Sequence, residues 1–397
     1  MTSESSPLSI RQLNRLRVIE ALYRHPATSR ADITGHTGLS RQTVSTVVEE
    51  LEQAGLVHEH TSSEDLRPRG SGRRPVLLSL VPGAAFAAGV DFGHRHIRVA
   101  ICDLSGEPLS DDWSPAEVDH APVQSLDLAH ELVREALNTA GVDREQLLGV
   151  GVGVAAPINK TTGELETDGI LPGWGGIRPA AELERRLGVP VQLENDANVG
   201  ALGEKVFGAG RDVDDLVYVR LSAGVGAGLI LSGRPFHGSL GVAGEIGHVL
   251  VDPGGAICRC GNRGCLETIA SPVAVAALLE RSIERPVTIS TLLELVAAED
   301  RGARRAVSDA GATVGTVVAA LVNIINPELV VVGGELAATG DVVLDPIRRA
   351  IERHCVAPAS SAVRVTAGML GPRAEVLGAA ALILAQSPQV LAERVLQ

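Results

Sequence analysis

Apolar residues recur with helical spacing near the start of the chain. Between residues 11 and 25 an apolar side chain occurs at every third position, which places a stripe on one side of a helix. This stripe consists of Leu13, Leu16, Ile19 and Leu22. The pattern therefore predicts a first amphipathic helix in this segment.

Two further helices are predicted directly after the first. Ser29 followed by Asp32 is a capping-box pattern, which begins a helix over residues 30–37. Gly38 ends that helix, and a third helix then covers residues 41–54. A helix, a short glycine turn and a second helix form the layout of a helix-turn-helix DNA-binding domain.

The third predicted helix has an apolar side and a polar N-terminal end. Its buried stripe consists of Val44, Val47, Val48 and Leu51. Recognition helices of this class meet the edges of DNA bases with the residues of their first turns. The predicted DNA-contacting residues of this helix are Ser40, Arg41, Gln42, Thr43, Ser45 and Thr46.

Two strand-like runs, L-V-H-E-H and V-L-L-S-L, follow this helix and flank a basic loop. Such a ribbon is the wing of a winged helix-turn-helix domain, and its arginines reach phosphates or a narrow minor groove. The loop arginines are Arg67, Arg69, Arg73 and Arg74. A charged loop is often only solvated, but this one follows a helix-turn-helix pattern, which favours DNA binding.

From residue 84 onward, apolar strand-like runs alternate with helical segments. One run reads as strand, turn and strand with Asp91 at the turn, and a helical pattern covers residues 126–140. The same rhythm returns at residues 216–232 and 329–334. Two successive halves of alternating strands and helices predict an α/β body of two lobes with a cleft between them.

Length and charge are consistent with this division. A chain of 397 residues suggests two or three domains. Residues 1–80 contain ten arginines and nine acidic residues, whereas the remainder has 25 basic and 39 acidic residues. The N-terminal segment is therefore the candidate for contact with a polyanion. Because aromatic residues make up 2% of the chain, duplex DNA is favoured over stacking of single-stranded bases.

The sequence carries neither a signal-peptide pattern nor eighteen consecutive apolar residues without charge. We therefore expect no membrane association and a cytoplasmic location. The predicted DNA-binding domain covers residues 1–81 and the body covers residues 82–397. Within the body, one lobe comprises about residues 84–198 plus the C-terminal helix, and the other comprises about residues 199–370.

One histidine and three cysteines lie within eighteen residues of one another: His248, Cys258, Cys260 and Cys265. This spacing lets four nitrogen and sulfur donors surround one tetrahedral ion, and thiolate-rich sites of this kind favour zinc. The alternative is a set of ordinary buried or redox thiols. A site with four protein ligands has no open position for water, so the predicted Zn²⁺ is structural.

Five motifs identify the chain more narrowly. They are E-N-D-A-N (194–198), L-S-A-G-V-G-A-G-L-I (221–230), G-E-I-G-H (244–248), C-R-C-G-N-R-G-C-L-E (258–267) and V-V-V-G-G (330–334). Together and in this order they resemble the ROK family of repressors, open reading frames and sugar kinases. The resemblance is strongest to the family's transcriptional regulators, which carry a winged helix-turn-helix ahead of the kinase-like body, and it covers essentially the whole chain.

The resemblance implies an actin-like ATPase fold of the ribonuclease H-like α/β class, with two lobes that close on a sugar. By this resemblance the sugar-binding residues are Asn195, Asp196, Glu245, His248 and Glu267, with His248 sharing its two ring nitrogens between zinc and sugar. Carboxylates, an amide and an imidazole suit the donors and acceptors of sugar hydroxyls. Alternatively, Glu245 and Glu267 only support the zinc loop, or Asn195 and Asp196 form a turn.

Catalysis is a separate question, because phosphoryl transfer requires close backbone approach to the phosphates. The implied phosphate and nucleotide loops contain Asp91, Gly93, Gly224, Gly226, Gly333 and Gly334. Kinases of the family typically read D-x-G-G-T where this chain has His94 and Arg95 after Gly93, and often have asparagine at the position of Ile170. His94 adds bulk and Arg95 replaces a hydroxyl with a charge that could still meet a phosphate.

These departures favour binding over catalysis. The predicted function is a sugar-responsive DNA-binding transcriptional regulator, most simply a repressor, whose cleft binds a sugar or a sugar phosphate. Its predicted partners are operator DNA and further copies of itself, as a homodimer or homotetramer. The alternative is an active ATP-dependent, glucokinase-like hexose kinase with a DNA-binding head, which would use Mg-ATP and Asp196 as general base. A regulator that responds to a protein partner is a third hypothesis.

Overall fold

Three helices and a β-ribbon form the N-terminal head of the protein, residues 8–80. The structure is a computed structural model that describes residues 8–61, 76–159, 162–165, 170–283 and 285–394. The head contains α1 (Ile10–Arg24), α2 (Arg30–Thr37), α3 (Arg41–Gln53), β1 (Val57–Thr61) and β2 (Val76–Leu80). A serine caps the start of each helix, and the predicted capping box between Ser29 and Asp32 is present. The three predicted helices are confirmed.

The two strands of the head pair antiparallel, which confirms the predicted ribbon. The loop between them lies outside the described residues. The interpretation of that loop as a DNA-contacting wing therefore stays a prediction. It concerns Arg67, Arg69, Arg73 and Arg74.

The apolar stripe predicted for the first helix is only partly right. Ile19 and Leu22 are buried, but Leu13 is 40% exposed. A step of three residues falls about 60° short of a full helical turn, so Leu13 lies on the side opposite Leu22. The buried Arg15 instead faces α3, where its guanidinium lies 2.7 Å from the carboxylate of Glu50.

The body contains two five-stranded sheets with the same connectivity. The first lobe comprises β3 (Phe86–Phe92), β4 (His96–Asp103), β5 (Pro108–Pro115), α4 (Pro122–Ala140), β6 (Leu147–Val154), α5 (Pro179–Leu187) and β7 (Val191–Asn195). Its strand order is β5-β4-β3-β6-β7. The first three strands form an antiparallel meander, and β6 and β7 then add in parallel.

The second lobe repeats this plan. Its elements are α6 (Asp196–Phe207), β8 (Leu216–Leu221), β9 (Val225–Leu231), β10 (Arg234–Pro235), α7 (Glu267–Ala270), α8 (Pro272–Ile283), α9 (Ile289–Ala297), α10 (Arg301–Ile325), β11 (Leu329–Gly333), α11 (Asp341–His354), α12 (Ala357–Ala362) and β12 (Arg364–Ala367). The strand order is β10-β9-β8-β11-β12, with β8, β9 and β10 antiparallel and β11 and β12 parallel to β8. The predicted two-lobed α/β body is confirmed.

Two C-terminal helices connect the two lobes of the body with the N-terminal head. α13 (Ala374–Leu384) packs on β3, β4 and β6 of the first lobe and on α6, while α14 (Ser387–Arg394) packs on α1 of the head. The predicted border between the lobes, at residue 198, falls inside α6. One hydrophobic cluster joins the head to the C-terminal helices, and it includes Val18, Leu22, Leu78, Leu377 and Ile383.

The helix α10 is long and apolar enough to cross a membrane by length and composition alone. In the structure, however, it packs against α11. Its residues Val307, Val314 and Val318 are buried in the core of the second lobe. The apolar composition of α10 is therefore that of a core helix.

Candidate functional site

The histidine and three cysteines predicted to bind zinc converge in the loop between β10 and α7. One ligand atom each from His248, Cys258, Cys260 and Cys265 lies within 4.8 Å of the others. The sulfurs of Cys260 and Cys265 are 3.8 Å apart, and the Cys258 sulfur is 3.6 Å from Nδ1 of His248. A tetrahedral site with zinc–sulfur bonds of about 2.3 Å has edges of about 3.8 Å. The donor set and its spacing therefore fit a structural zinc ion.

The loop closes on itself through a tight backbone contact. Gly264 has a φ of +69°, and a Cβ at this residue would lie 1.6 Å from the carbonyl oxygen of Asp252. Only glycine fits such a position. The backbone next to Gly264 therefore brings Cys265 back to the cluster.

A cleft lies beside this cluster, between the two lobes. All five residues predicted to bind sugar line it: Asn195, Asp196, Glu245, His248 and Glu267. They come from the end of β7, the start of α6, the loop after β10 and the start of α7. The tertiary structure therefore brings together side chains that are up to 72 residues apart in the chain.

The two ring nitrogens of His248 face different groups. Nδ1 points to the cysteine cluster, and Nε2 lies 3.7 Å from the carboxylate of Glu245 at the cleft. Burial, together with the carboxylates of Asp196 and Glu267, raises the pKa of Glu245 to about 7. A carboxyl group in that range can either donate or accept a hydrogen bond near neutral pH, which suits a hydroxyl ligand.

Asn195 also has a structural role, because it caps α6. Its Oδ1 accepts hydrogen bonds from the backbone N–H groups of Ala197 and Asn198, and its Nδ2 donates to the carbonyl oxygen of Ala156. The alternative that Asn195 and Asp196 form a turn is wrong, since they join a strand directly to a helix. The cap fixes the direction in which Asp196 points into the cleft.

Two arginines line the cleft that the sequence analysis did not predict as site residues. Arg220 of β8 lies 2.9 Å from Asp196, and both side chains are buried. Burial alone would lower the pKa of Arg220, but the carboxylates of Asp196 and Glu375 raise it well above its usual value. A signal was available, because Arg220 is the charged residue of the otherwise apolar strand L-V-Y-V-R-L.

The second missed arginine, Arg259, lies between two cysteines of the metal loop. Its Nε and Nη2 donate to the two carboxylate oxygens of Glu267 at 2.9 and 2.8 Å. Burial opposes ionisation of Glu267, but Arg259 holds the pKa of this carboxyl below its usual value. Glu267 thus supports the metal loop and also faces the cleft.

A second cavity, of about 1250 Å³, lies on the other side of Arg220. Asp91, Gly333 and Gly334 line it, as expected of the nucleotide side of a kinase-like cleft. Gly224 and Gly226, at the turn between β8 and β9, line the sugar-facing cleft, and their predicted place in a phosphate or nucleotide loop stays a prediction. Asp91 is not in a turn but is buried inside β3.

His96, and neither His94 nor Arg95, occupies the space beside Gly93 in the first phosphate loop, so the expected effects of His94 and Arg95 on this loop are wrong. A Cβ on Gly93 would lie 2.2 Å from the imidazole ring of His96, which also approaches Asp91 at 3.1 Å. His94 hydrogen-bonds to Asp119 at 2.8 Å and lines the sugar-facing cleft. Arg95 is exposed, and the described residues that line the two cavities do not include it.

Ile170, which stands where many kinases of the family have asparagine, also lines the sugar-facing cleft. Its side chain packs against the core of the first lobe. This part of the cleft wall is therefore apolar.

The N-terminal end of α3 presents polar side chains to solvent. Arg41, Gln42 and Thr46 are exposed, while Ser45 is half-buried. Ser40 caps α3: its Oγ accepts from the N–H of Thr43 and lies 2.8 Å from the Thr43 hydroxyl. The predicted buried stripe is confirmed, since Val44, Val47, Val48 and Leu51 are all buried.

Comparison with known proteins agrees with this arrangement. The sequence profile of the ROK family matches residues 87–386, and that of the MarR family matches residues 11–68. The xylose repressor of Caldicellulosiruptor bescii is 29% identical over 388 residues, covering 94% of this chain and 96% of that protein. The glucokinase of Thermotoga maritima is 30% identical over 310 residues, covering 74% of this chain and 96% of the kinase.

A solved structure shows the same overall arrangement. It is a ROK family transcriptional regulator, a homologue of the E. coli MLC protein, and it superimposes with a TM-score of 0.81 at 26% identity. The match covers 97% of this chain and 99% of that structure. The regulators thus match the head as well as the body, whereas the glucokinase match covers 74% of the chain.

Proposed function

Because this chain belongs to the ROK family and carries a winged helix-turn-helix head, we propose that it is a sugar-responsive transcriptional repressor. The observation that carries the proposal is the ion pair of Arg220 with Asp196 in a cleft attached to a DNA-binding head. The regulator class predicted from the sequence agrees with the relatives. The head binds operator DNA in the cytoplasm, and a sugar in the cleft changes that binding.

The cleft suits a sugar because several donors and acceptors converge in it. Asp196 and Glu267 accept hydrogen bonds, Asn195 supplies an amide, and Glu245 and His248 offer groups that can donate or accept. A pyranose ring presents hydroxyl groups in all directions and needs such a mixed set. Loss of any one partner would leave a buried polar group unsatisfied, which gives selectivity.

An unphosphorylated sugar fits the charges better than a sugar phosphate. Among the described residues, the arginines that line the cleft are both paired, Arg220 with Asp196 and Glu375, and Arg259 with Glu267. A phosphate dianion would therefore have to compete with a carboxylate for either of these guanidinium groups. Since a relative is a xylose repressor, D-xylose is the first sugar to test.

The chain is proposed not to transfer phosphate. The carboxylate of Asp196 is the counterpart of the general base in kinases of the family, and here the guanidinium of Arg220 occupies it. The imidazole of His96 fills the space over Gly93, where a phosphate would have to approach the backbone. Both features oppose the alternative of a hexose kinase.

The metal site is proposed to hold structural zinc through His248, Cys258, Cys260 and Cys265. A bound zinc ion would cross-link the loop and orient the imidazole. The protein's own contribution is to present Nε2 of His248 beside Glu245 at the cleft wall. The loop and the sugar site are thus held together by one side chain.

We also propose that the repressor is a homo-oligomer. Helix-turn-helix proteins read two half-sites about 34–36 Å apart with two symmetry-related recognition helices. The exposed residues Arg41, Gln42 and Thr46 would meet the bases of each half-site. A homodimer is the simplest assembly that satisfies this requirement.

The proposal is tested by selecting duplexes that bind the protein from a randomised DNA library. Affinity for the selected duplex is then measured at fixed salt with D-xylose, D-glucose, N-acetylglucosamine and their phosphates. We expect a palindromic sequence, and weaker binding in the presence of one unphosphorylated sugar. Selection of no preferred sequence, or DNA binding unchanged by every sugar, would contradict the proposal.

A further inference from the structure

Arg220 lies between the sugar-facing cleft and the second cavity described above. It lines both the sugar-facing cleft and the larger second cavity. Its side chain is buried inside the apolar strand β8, where an unpaired charge would be costly. Its position therefore depends on the partners that it holds.

Those partners belong to different elements. Nη1 of Arg220 lies 2.9 Å from Oδ2 of Asp196, and Nε donates to Oε1 of Glu375 at 2.9 Å. The hydroxyl of Tyr218 donates to the same oxygen of Glu375 at 3.0 Å. One guanidinium thus joins a cleft carboxylate at the start of α6 to the first turn of α13.

The helix α13 is seated rigidly on the first lobe. A Cβ on Gly89 would lie 2.0 Å from the carbonyl oxygen of Val376, and one on Gly151 would lie 1.8 Å from that of Ala379. The backbone of α13 therefore lies directly on β3 and β6. The helix and the first lobe therefore move as one unit, and a displacement at the first turn of α13 changes the position of β8 relative to both.

The other end of α13 reaches the DNA-binding head. Ile383 and Leu384 of α13 share one hydrophobic cluster with Val18 of α1. Directly after the helix, the hydroxyl of Ser387 lies 2.5 Å from that of Tyr23 in α1. A continuous path of packed groups therefore runs from Asp196 to the head.

We propose that Arg220 is the positioning residue that couples the sugar to the DNA-binding head. A sugar hydroxyl that engages Asp196 competes with Nη1 of Arg220, and the guanidinium then shifts toward Glu375. This changes the position of β8 relative to α13 and thereby the head. The inference rests on the proposed function, because it requires that a sugar changes DNA affinity.

The test uses the full-length chain and two variants, Arg220→Met and Glu375→Leu. DNA affinity is measured with and without the sugar that acts on the wild type, and sugar affinity is measured by calorimetry. In proteins with two coupled sites, binding at one site typically changes the affinity of the other by about 5- to 150-fold. In both variants we expect the ratio of the DNA affinity without sugar to the DNA affinity with sugar to lie within about twofold of one. Glu375→Leu should still bind the sugar.

Arg98→Met is the matched control. Arg98 lines the same second cavity but pairs with Asp111 on β5 at 2.9 Å, so its loss should leave the coupling intact. Should Arg220→Met fail to fold, as judged by thermal unfolding, Glu375→Leu carries the test, since it leaves the pair of Arg220 with Asp196 in place. If the sugar still changes the DNA affinity of a folded variant as much as that of the wild type, the inference is overturned. If no sugar changes the DNA affinity of the wild type, the proposed function is overturned instead.

Discussion

Arg220 and Asp196 form a buried ion pair of 2.9 Å at the floor of the cleft between the lobes. Asp196 begins α6, and Arg220 lies in the strand that follows this helix. A carboxylate can act as a base toward a sugar hydroxyl only when its oxygen is free to reach that proton. The pair therefore supports the proposal that Asp196 binds a sugar and does not act as a base.

From this pair we expect no kinase activity. Incubation with Mg-ATP and D-xylose, D-glucose or N-acetylglucosamine should release ADP no faster than the Asp196→Asn variant does. The measurement is a coupled ADP assay. Sugar-dependent ADP release that Asp196→Asn abolishes would show that Asp196 acts as a general base and that the hexose-kinase alternative holds.

Loss of one cysteine of the metal cluster should remove the zinc and destabilise the protein. In Cys260→Ser the bound zinc, measured by atomic emission on purified protein, should fall from about one ion per chain to near zero. The free energy of unfolding should fall by on the order of 5 kcal/mol, because structural zinc contributes directly to folding. Cys355→Ser is the control, since Cys355 lies outside the cluster. Equal zinc content in both variants would refute the assigned ligands.

Base recognition should depend on the first turn of α3. Arg41→Ala should reduce the preference for the selected duplex over random DNA by about 1–3 kcal/mol, because a bidentate contact to a base is lost. Gln53→Ala changes an exposed residue at the opposite end of the same helix and should have no effect. Fluorescence anisotropy at one salt concentration measures the affinity of each variant for the selected duplex and for random DNA. An equal loss on cognate and random DNA would argue against this placement of the recognition helix.

The pair of His96 with Asp91 should make stability depend on pH. Burial opposes protonation of the imidazole, but Asp91 raises the pKa of His96 above its usual value. The pair therefore stabilises the fold fully below the unfolded pKa of about 6.5, and this stabilisation is lost as pH rises through the folded pKa.

The measurement for this pair is the Tm of the wild type and of His96→Gln between pH 5.5 and 9. The difference between them should be largest at the acidic end and shrink as pH rises. His58→Gln removes an exposed histidine of the head and serves as the control. A constant difference across the range would mean that the pKa of His96 does not change on folding.

Local patterns predicted the elements that depend on neighbours in the chain. The caps Ser29 and Ser40 and the stripe of α3 were predicted correctly, because a helix start and a helix face are defined within a few residues. Leu13 was misplaced because a three-residue repeat drifts around a 3.6-residue helix. The glycine patterns did not show that Gly224 and Gly226 line a different cavity from Gly333 and Gly334, because a glycine turn does not indicate which way it faces.

The sequence by itself determined the helix-turn-helix head, the alternating strands and helices of the body and the four donors of the metal cluster. These features arise from residues that lie close together in the chain, so spacing and periodicity reveal them. Only the tertiary structure decided that Arg220 meets Asp196 and Glu375, and Arg220 and Glu375 are 155 residues apart. Such a contact depends on how two sheets and a C-terminal helix pack together, and long-range packing leaves no periodic signal in the chain.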